Sequence, residues 1–287
     1  MNNNSSIATL ILSCPNQKGL VARISQFIFQ RGGDIIDLSE HVDNEEQMFF
    51  IRIEWNLKDF QLTNEAFENE FKLLADEFRA NWEVKYSSNK SQIALFVSKY
   101  DHCLQEILWR YSNNELDAEI SFVISNHENL KYLAERYDMP YYVFPVNKEN
   151  KKEQEDKELE LLTKHKIDTV VLARYMQILS PNFLKNFSGG IINIHHSFLP
   201  AFIGADPYAK AYQRGVKLIG ATSHYVTEEL DEGPIIEQDV IRITHKDSLK
   251  DLIRKGRDLE RLVLARALDL HINNRVLRYG KKTIIFE

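Results

Sequence analysis

The segment DTVVLARYMQILSPNFLKNFSGGIINIHH, residues 168–196, contains two short apolar runs, DTVVLA at 168–173 and IINI at 191–194. Neither run alternates apolar and polar residues, as a strand with one face in water would. Continuous apolar runs bounded by turns predict strands buried on both faces, and such strands occur in parallel sheets covered by helices. The same pattern recurs upstream, in IALFVS (93–98), EISFVIS (119–125) and PYYVFPV (140–146). Because helical stretches such as 149–165 separate these runs, this part of the chain predicts a Rossmann-like, doubly wound α/β domain.

The chain beyond Val216 has a different pattern, which predicts two antiparallel strands around the loop 227–233. A long helix is expected from Ser248 to about Ile272, followed by a last strand near 283–286.

The first 86 residues predict a separate unit with the element order βαββαβ, which is typical of a ferredoxin-like fold. Strands are expected at 7–14, 34–42, 48–55 and 82–86, with a helix after Gly19 and another that includes Phe67 and Phe71. In 48–55, Phe49, Ile51, Ile53 and Trp55 alternate with Phe50, Arg52 and Glu54, which predicts a half-buried strand. The polar stretch Ser87–Ser91 is the expected boundary, giving domains 1–86 and 87–287.

The composition excludes several classes of protein. Acidic residues (42) outnumber basic ones (36), and no basic stripe with interleaved aromatics occurs, so no nucleic-acid partner is expected. Only two cysteines occur, Cys14 and Cys103, one in each domain, which argues against a disulfide framework and favours a reducing compartment. The N-terminus lacks a signal-peptide pattern, and no stretch is long and apolar enough for a membrane span. We therefore expect a cytoplasmic protein without a membrane partner.

Asn193 and His195 lie at the end of the strand 191–194. Residues two apart in a strand share a face, so these side chains point the same way, while His196 points to the other side. Ligands of open α/β sheets bind beyond the carboxyl ends of the strands, which is where this pair lies. The alternative is a histidine that caps a helix or packs near a turn, and the pattern alone leaves both open.

The loop Glu228–Glu232 contains four carboxylates. Like charges this close disfavour ionisation of at least one of them, which would suit proton transfer. A solvated acidic turn that ends at Gly233-Pro234 is the alternative, and composition alone favours it.

Several sharper motifs are missing from the sequence. Neither G-x-S-x-G nor H-E-x-x-H occurs, and there is no P-loop. The first strand of the second domain runs into Ser98-Lys99-Tyr100-Asp101-His102-Cys103, without the glycines that a dinucleotide or phosphate cradle needs. Adjacent residues do not face each other, so neither His102-Cys103 as a catalytic dyad nor His195-His196 as a metal pair is favoured. No metal site is expected.

The chain resembles the formyltransferase family of folate enzymes. The motifs that carry the resemblance are LARYMQILSP (172–181), IINIHHSFLPAFIGA (191–205), RGVKLIGATSHYV (214–226), LDEGPIIEQDV (230–240) and RKGRD (254–258). The N-terminal stretches LILSCPNQKGLVARIS (10–25) and GGDII (32–36) resemble an ACT regulatory domain. The resemblance covers almost the full chain and is closest to the members that pass the formyl group to water.

By this resemblance the catalytic residues are Asn193, His195 and Asp231. It implies a substrate pocket lined by two loops and a supporting histidine: Tyr175, Met176, Gln177, Ile178, Leu179, Thr227, Glu228, Leu230 and His224. The implied reaction is hydrolysis of 10-formyltetrahydrofolate to formate and tetrahydrofolate, which supplies formate for purine synthesis and balances one-carbon folate pools. Folate is then the substrate, and no cofactor is expected.

For the ACT domain the resemblance implies a homo-oligomer, a dimer or tetramer, with amino-acid effectors bound near Asn16 and Gly19. Two departures from the family pattern stand out in this chain. This chain has Pro207-Tyr208-Ala209-Lys210 where the family usually reads Pro-Tyr-His-Gln, and Asp206 adds a charge beside this segment. In the ACT domain, Asn16 stands where an aspartate is common. The altered segment 206–210 leaves a competing hypothesis, a sensor that binds folate without turning it over.

Related transferases differ from this chain in the part that holds the formyl acceptor. Those that formylate glycinamide ribonucleotide have a loop rich in glycine and serine after the first strand, which holds the phosphate of the acceptor. Here that loop is Lys99–Cys103, which is bulky and partly acidic. A transferase for methionyl-tRNA would need a basic surface and a further RNA-binding domain. Water is therefore the expected acceptor.

Overall fold

The computed structural model describes residues 6–201 and 206–287. The chain divides into two compact units. One contains the residues up to Lys90 together with 274–277 and 284–287, and the other contains 91–273 and 278–283. Both units are mixed α/β structures, so the predicted fold class is confirmed.

The first unit has the expected order of strands and helices. Its elements are β1 (Ile7–Pro15), α1 (Leu20–Phe29), β2 (Asp34–Asp43), β3 (Met48–Asn56), α2 (Asn64–Phe78) and β4 (Asn81–Tyr86). The strands form one antiparallel sheet in the order β2-β3-β1-β4. The core includes Phe67 and Phe71, whose rings stack with centroids 5.3 Å apart.

The prediction that β3 is only half-buried was wrong for two residues. Phe50 and Arg52 are buried, although they point away from the face that carries Ile51 and Ile53. The Arg52 guanidinium pairs with Asp37 at 2.7 Å and donates to the backbone oxygen of Asn274 at 2.9 Å. Buried charge is tolerated only when it is paired, and these partners provide the pairing.

The second unit contains a seven-stranded sheet with helices. Its elements are β5 (Ser91–Val97), α3 (His102–Ser112), β6 (Ala118–Ser125), α4 (Lys131–Glu135), β7 (Tyr141–Val143), α5 (Lys151–Lys164), β8 (Thr169–Leu172), α6 (Pro181–Asn186), β9 (Gly190–His195), α7 (Pro207–Arg214), β10 (Leu218–Tyr225), β11 (Ile235–Arg242) and α8 (Leu249–Ile272). A hairpin of β12 (Val276–Tyr279) and β13 (Lys282–Ile285) ends the chain.

The large sheet has the strand order β11-β10-β9-β8-β5-β6-β7. The five strands from β5 to β9 pair in parallel, and β10 and β11 are antiparallel. The apolar runs predict the parallel, doubly wound part of this sheet, and the pattern beyond Val216 predicts the antiparallel pair β10 and β11. The predicted strand at 140–146 was too long, because only Tyr141–Val143 pairs with β6.

Cys14 and Cys103 are both buried and free, in line with the expectation from the sequence. Among the described residues, no helix combines the length and the apolar character needed to cross a membrane.

Candidate active site

A cavity of about 600 Å³ opens beyond the carboxyl ends of β5, β8 and β9. The described residues that line it include all twelve that the sequence proposes for catalysis and substrate binding: Tyr175, Met176, Gln177, Ile178, Leu179, Asn193, His195, His224, Thr227, Glu228, Leu230 and Asp231. The volume is in the range of a site for a small organic ligand. The sequence patterns therefore converge on one place in the fold.

Asn193 and His224 face each other across the antiparallel pair β9 and β10. The His224 Nδ1 lies 2.9 Å from the backbone oxygen of Tyr225, which can only accept, so Nδ1 carries the proton. Burial lowers the pKa of His224, which keeps the ring neutral and leaves a lone pair on Nε2. That lone pair accepts from the Asn193 Nδ2 at 3.2 Å. The orientation of the Asn193 amide is thereby fixed, and its second N–H remains for a ligand.

His195 and Asp231 form the second polar pair of the cavity. The His195 Nδ1 lies 3.2 Å from the Asp231 Oδ1, and both side chains are largely buried. The hydrogen bond from His195 is the main reason that the pKa of Asp231 is lowered, so the carboxylate stays ionised. Within residues 6–201 and 206–287, the buried His195 Nε2 has no hydrogen-bond partner. A buried ring nitrogen without a partner, at the wall of a cavity, is available to a substrate.

The loop between β10 and β11 brings Asp231 to this position. Asp231 has a φ of 59°, a left-handed conformation that aspartate tolerates better than most residues. A Cβ at Gly233 would lie 1.7 Å from the backbone oxygen of Tyr225, so only glycine lets the loop close here. The crowding of carboxylates expected from the sequence is relieved, because Glu229 and Glu232 turn toward Lys281 at 3.8 and 3.6 Å.

Helix α5 holds the loop that carries Tyr175 to Leu179. Lys151 Nζ donates to the backbone oxygen of Ile178 at 2.5 Å, and Glu155 accepts from the backbone N–H of Ser180 at 3.0 Å. The fully buried Glu158 accepts from the Tyr175 hydroxyl at 3.2 Å. These three contacts fix the loop and leave the side chain of Met176 exposed toward the cavity.

The replacement Glu158→Gln is expected to make stability less dependent on pH. Burial raises the pKa of Glu158 from 4.5 to about 8. Between these values the folded state keeps a proton that the unfolded chain has lost, so the contribution of Glu158 to the free energy of unfolding falls as the pH rises. Glutamine can keep the bond to Tyr175 without titrating, and thermal melts from about pH 5 to about pH 9 measure the difference.

In those melts the difference between the Tm of Glu158→Gln and the Tm of the wild type should shift in favour of the variant as the pH rises. Glu160→Gln, at an exposed position of α5, is the matched control and should follow the wild type. Parallel Tm curves for the wild type and Glu158→Gln would contradict the assignment.

The sequence reasoning missed a buried network at another wall of the cavity. Glu260 on α8 is 1% exposed and lies 2.8 Å from His102 Nε2 and 3.3 Å from Arg174 Nε, and it accepts from the Tyr208 hydroxyl. The available signal was a carboxylate within the apolar stripe of α8, beside Leu259 and Val263. A charge at such a position indicates a buried ion pair.

The same network bears on metal binding. The ligand atoms of His102, Cys103 and Glu260 lie within 4.8 Å of one another. However, the Glu260 carboxylate is already engaged by Arg174 and Tyr208, and burial raises the pKa of Cys103, so its thiol keeps the proton. This arrangement fits an internal ion-pair network better than a cation site, which needs a thiolate and a free carboxylate.

The family departures at Asp206, Ala209 and Lys210 fall at the start of α7, where Asp206 has a φ of 53°. Asp206 and Ala209 line the cavity. Residues 202–205, part of the motif at 191–205, lie outside the described residues. In the first unit, Asn16 is exposed after β1, and Gly19 has a φ of 87° before α1.

Comparisons of the sequence and of the structure with known proteins find relatives of the same family. Residues 91–268 match a family model described as formyl transferase. The chain is 52% identical to a formyltetrahydrofolate deformylase of Synechocystis sp., over 97% of this chain and 98% of that protein. Its structure is similar to that of a formyltetrahydrofolate deformylase from Pseudomonas syringae, with 44% identity, a TM-score of 0.96 and coverage of 99% and 96%.

A more distant structure is glycinamide ribonucleotide transformylase 1 from Symbiobacterium toebii. It is 28% identical with a TM-score of 0.64, and the match covers 69% of this chain and 95% of that one. The similarity to deformylases thus spans nearly the whole chain, whereas the similarity to this transformylase covers a smaller share.

Proposed function

The chain belongs to the formyl transferase family, among the formyltetrahydrofolate deformylases, and from this premise we propose that it hydrolyses 10-formyltetrahydrofolate to formate and tetrahydrofolate. The observation that carries the chemistry is the meeting of Asn193, His195 and Asp231 at one cavity. Folate is the substrate, and none of the proposed steps needs a resident cofactor. The released formate would supply purine synthesis.

In the proposed complex, the folate ring system lies between two loops that line the cavity, Tyr175–Leu179 and Thr227–Leu230. Met176, Ile178 and Leu230 are large apolar residues that are exposed in the free protein, and burying them against the pterin is favourable. The formyl group then reaches the polar pairs at the ends of β9 and β10.

Asn193 is proposed to stabilise the negative oxygen of the tetrahedral intermediate. Its Nδ2 is held by His224, so the remaining N–H is oriented before the substrate arrives. A donor aimed in advance at developing negative charge lowers the barrier, since no reorganisation is needed during the reaction.

His195 is proposed to move the protons. With Nδ1–H bound to Asp231, the Nε2 lone pair can take a proton from water as the oxygen attacks the formyl carbon. The same Nε2–H then protonates N10 when the C–N10 bond breaks. The lowered pKa of Asp231 makes it a weak base but a good partner for the imidazolium, so the proposal assigns the deprotonation of water to His195 and not to Asp231.

The proposal is tested by incubating the purified protein with 10-formyltetrahydrofolate and an added amine. We expect formate and tetrahydrofolate in equal amounts, with little formylated amine. Formylation of the amine without formate release would identify a transferase, and binding without any turnover would identify the sensor.

For the first unit we propose regulation and assembly. Residues 1–86 would form an ACT domain that joins copies of the chain and binds an amino acid near Asn16 and Gly19. The support is the βαββαβ sheet and the exposed turn between β1 and α1. Titrating single amino acids against the hydrolysis rate, with the oligomer size measured by light scattering, tests both parts. A monomer whose rate responds to no amino acid would contradict them.

A further inference from the structure

Two arginine side chains contact the ring of Tyr100 at the wall of the cavity. The guanidinium carbons of Arg174 and Arg257 lie 5.0 and 5.3 Å from the centre of its ring, within the range of cation–π contacts. Tyr100 follows β5, and Arg174 follows β8. These adjacent strands mark the point where the strand order reverses, and ligands of open α/β sheets usually bind beyond such a point. In this protein the ring of Tyr100 lines the cavity at that point.

The Arg174 side of this contact is fixed by the buried network. Arg174 is 8% exposed and pairs with Glu260, which also binds His102 and Tyr208. A Cβ at Gly256 would lie 2.1 Å from the Tyr208 hydroxyl oxygen, so the glycine lets Tyr208 reach Glu260. If Arg174 moved away, the Glu260 carboxylate would lose a buried partner, which is strongly unfavourable.

Arg257, the second arginine in contact with Tyr100, is more exposed than Arg174. Arg257 is exposed and lines the cavity, and in the part of the chain that the structure describes no carboxylate pairs with it. The ring of Tyr100 is itself 38% exposed, so it stands at the surface of the cavity and is not part of the core. Removing the phenol ring would therefore open space beside a cation with little cost to the fold.

We propose that Tyr100, in contact with Arg174 and Arg257, occupies the subsite that an amine acceptor would need, and so restricts the nucleophile to water. This inference rests on the proposed hydrolysis. In transfer, an amine nitrogen would attack the formyl carbon, the C–N10 bond would break, N10 would gain a proton and the amine would lose one. The polar groups that serve water could serve an amine equally, so room for its substituent decides between the reactions.

The test compares Tyr100→Ala with the wild type, using 10-formyltetrahydrofolate and either glycinamide or O-phosphoethanolamine as the amine. Formate and formylated amine are quantified by mass spectrometry in the same sample. The ratio of formylated amine to formate is expected to rise about tenfold or more in Tyr100→Ala, the scale on which a pocket wall discriminates between substrates. The increase in this ratio should be larger with O-phosphoethanolamine than with glycinamide, because the phosphate of O-phosphoethanolamine can pair with Arg257.

Two controls separate exclusion from general damage. Tyr100→Phe keeps the ring and should keep the wild-type ratio. Tyr132→Ala removes an exposed tyrosine with a similar arginine contact, to Arg136 at 5.4 Å, away from the cavity, and should also leave the ratio unchanged. Arg257→Ala, at an exposed residue, removes one of the two arginine contacts to the Tyr100 ring and should raise the glycinamide ratio to a smaller extent.

Unchanged ratios in Tyr100→Ala and Arg257→Ala would overturn the inference, as would loss of both products in a Tyr100→Ala protein that still unfolds cooperatively. If Tyr100→Ala does not fold, the glycinamide ratio in Arg257→Ala decides the question. Failure of the wild type to release formate is a different result, since it would contradict the proposed function.

Discussion

Asp231→Asn is expected to reduce kcat for formate release by about 10³- to 10⁴-fold, as when the buried aspartate of a serine protease triad is replaced by asparagine. In the structure the Asp231 carboxylate accepts from His195 Nδ1, which leaves the Nε2 lone pair toward the cavity. The asparagine amide can donate to Nδ1 instead, which moves the proton of the neutral ring to Nε2. The ring would then lack a base for water.

The rate is measured as formate released per enzyme at saturating 10-formyltetrahydrofolate. Asp156→Asn, at an exposed position of α5, is the control for loss of one carboxylate and should match the wild type. A kcat for Asp231→Asn within about fivefold of the wild type would remove this aspartate from proton transfer. A folate sensor without turnover has no rate to lose, so a clear fall in kcat also excludes that hypothesis.

Asn193→Ala is expected to reduce kcat by about 10²- to 10³-fold, the cost typical of one lost oxyanion donor. The Nδ2 group is held by the His224 Nε2, so its second N–H is positioned for the formyl oxygen. This interaction strengthens as the oxygen becomes negative, and its loss should therefore lower kcat more than it changes KM.

Steady-state kinetics over a range of 10-formyltetrahydrofolate concentrations separate the two constants. Asn186→Ala, at an exposed position of α6, is the control for loss of one amide. A near-normal kcat in Asn193→Ala would take Asn193 out of the mechanism, and a raised KM alone would make it a binding residue.

Local patterns in the sequence predict much of this fold. The unbroken apolar runs correctly predict the parallel strands β5, β6, β8 and β9, because burial on both faces leaves no polar positions. The two-residue period also predicts that Asn193 and His195 share a face, and both line the cavity. These features depend on residues that are close in sequence.

Features that depend on contacts between residues far apart in sequence cannot be predicted from local patterns. The partner of Asn193 is His224, which is fixed by the register of β9 on β10. The burial of Arg52 depends on Asn274, and Glu260 joins Tyr208 and His102 from separate helices. In each of these contacts, one residue can be noticed in the sequence only as a polar residue within an apolar segment. Nothing in the sequence around its partner indicates that the two residues meet.

The register of β10 against β9 also bears on how the protein reaches its working form. The side chains of the cavity come from segments between Tyr100 and Glu260, and Asn193 meets His224 only after β10 has joined the sheet. Contacts between residues far apart in sequence form late, because closing long loops costs chain entropy before it is repaid. During refolding, the rate of formate release should therefore recover after the circular dichroism signal of the helices. Recovery of both at the same time would contradict this order of folding.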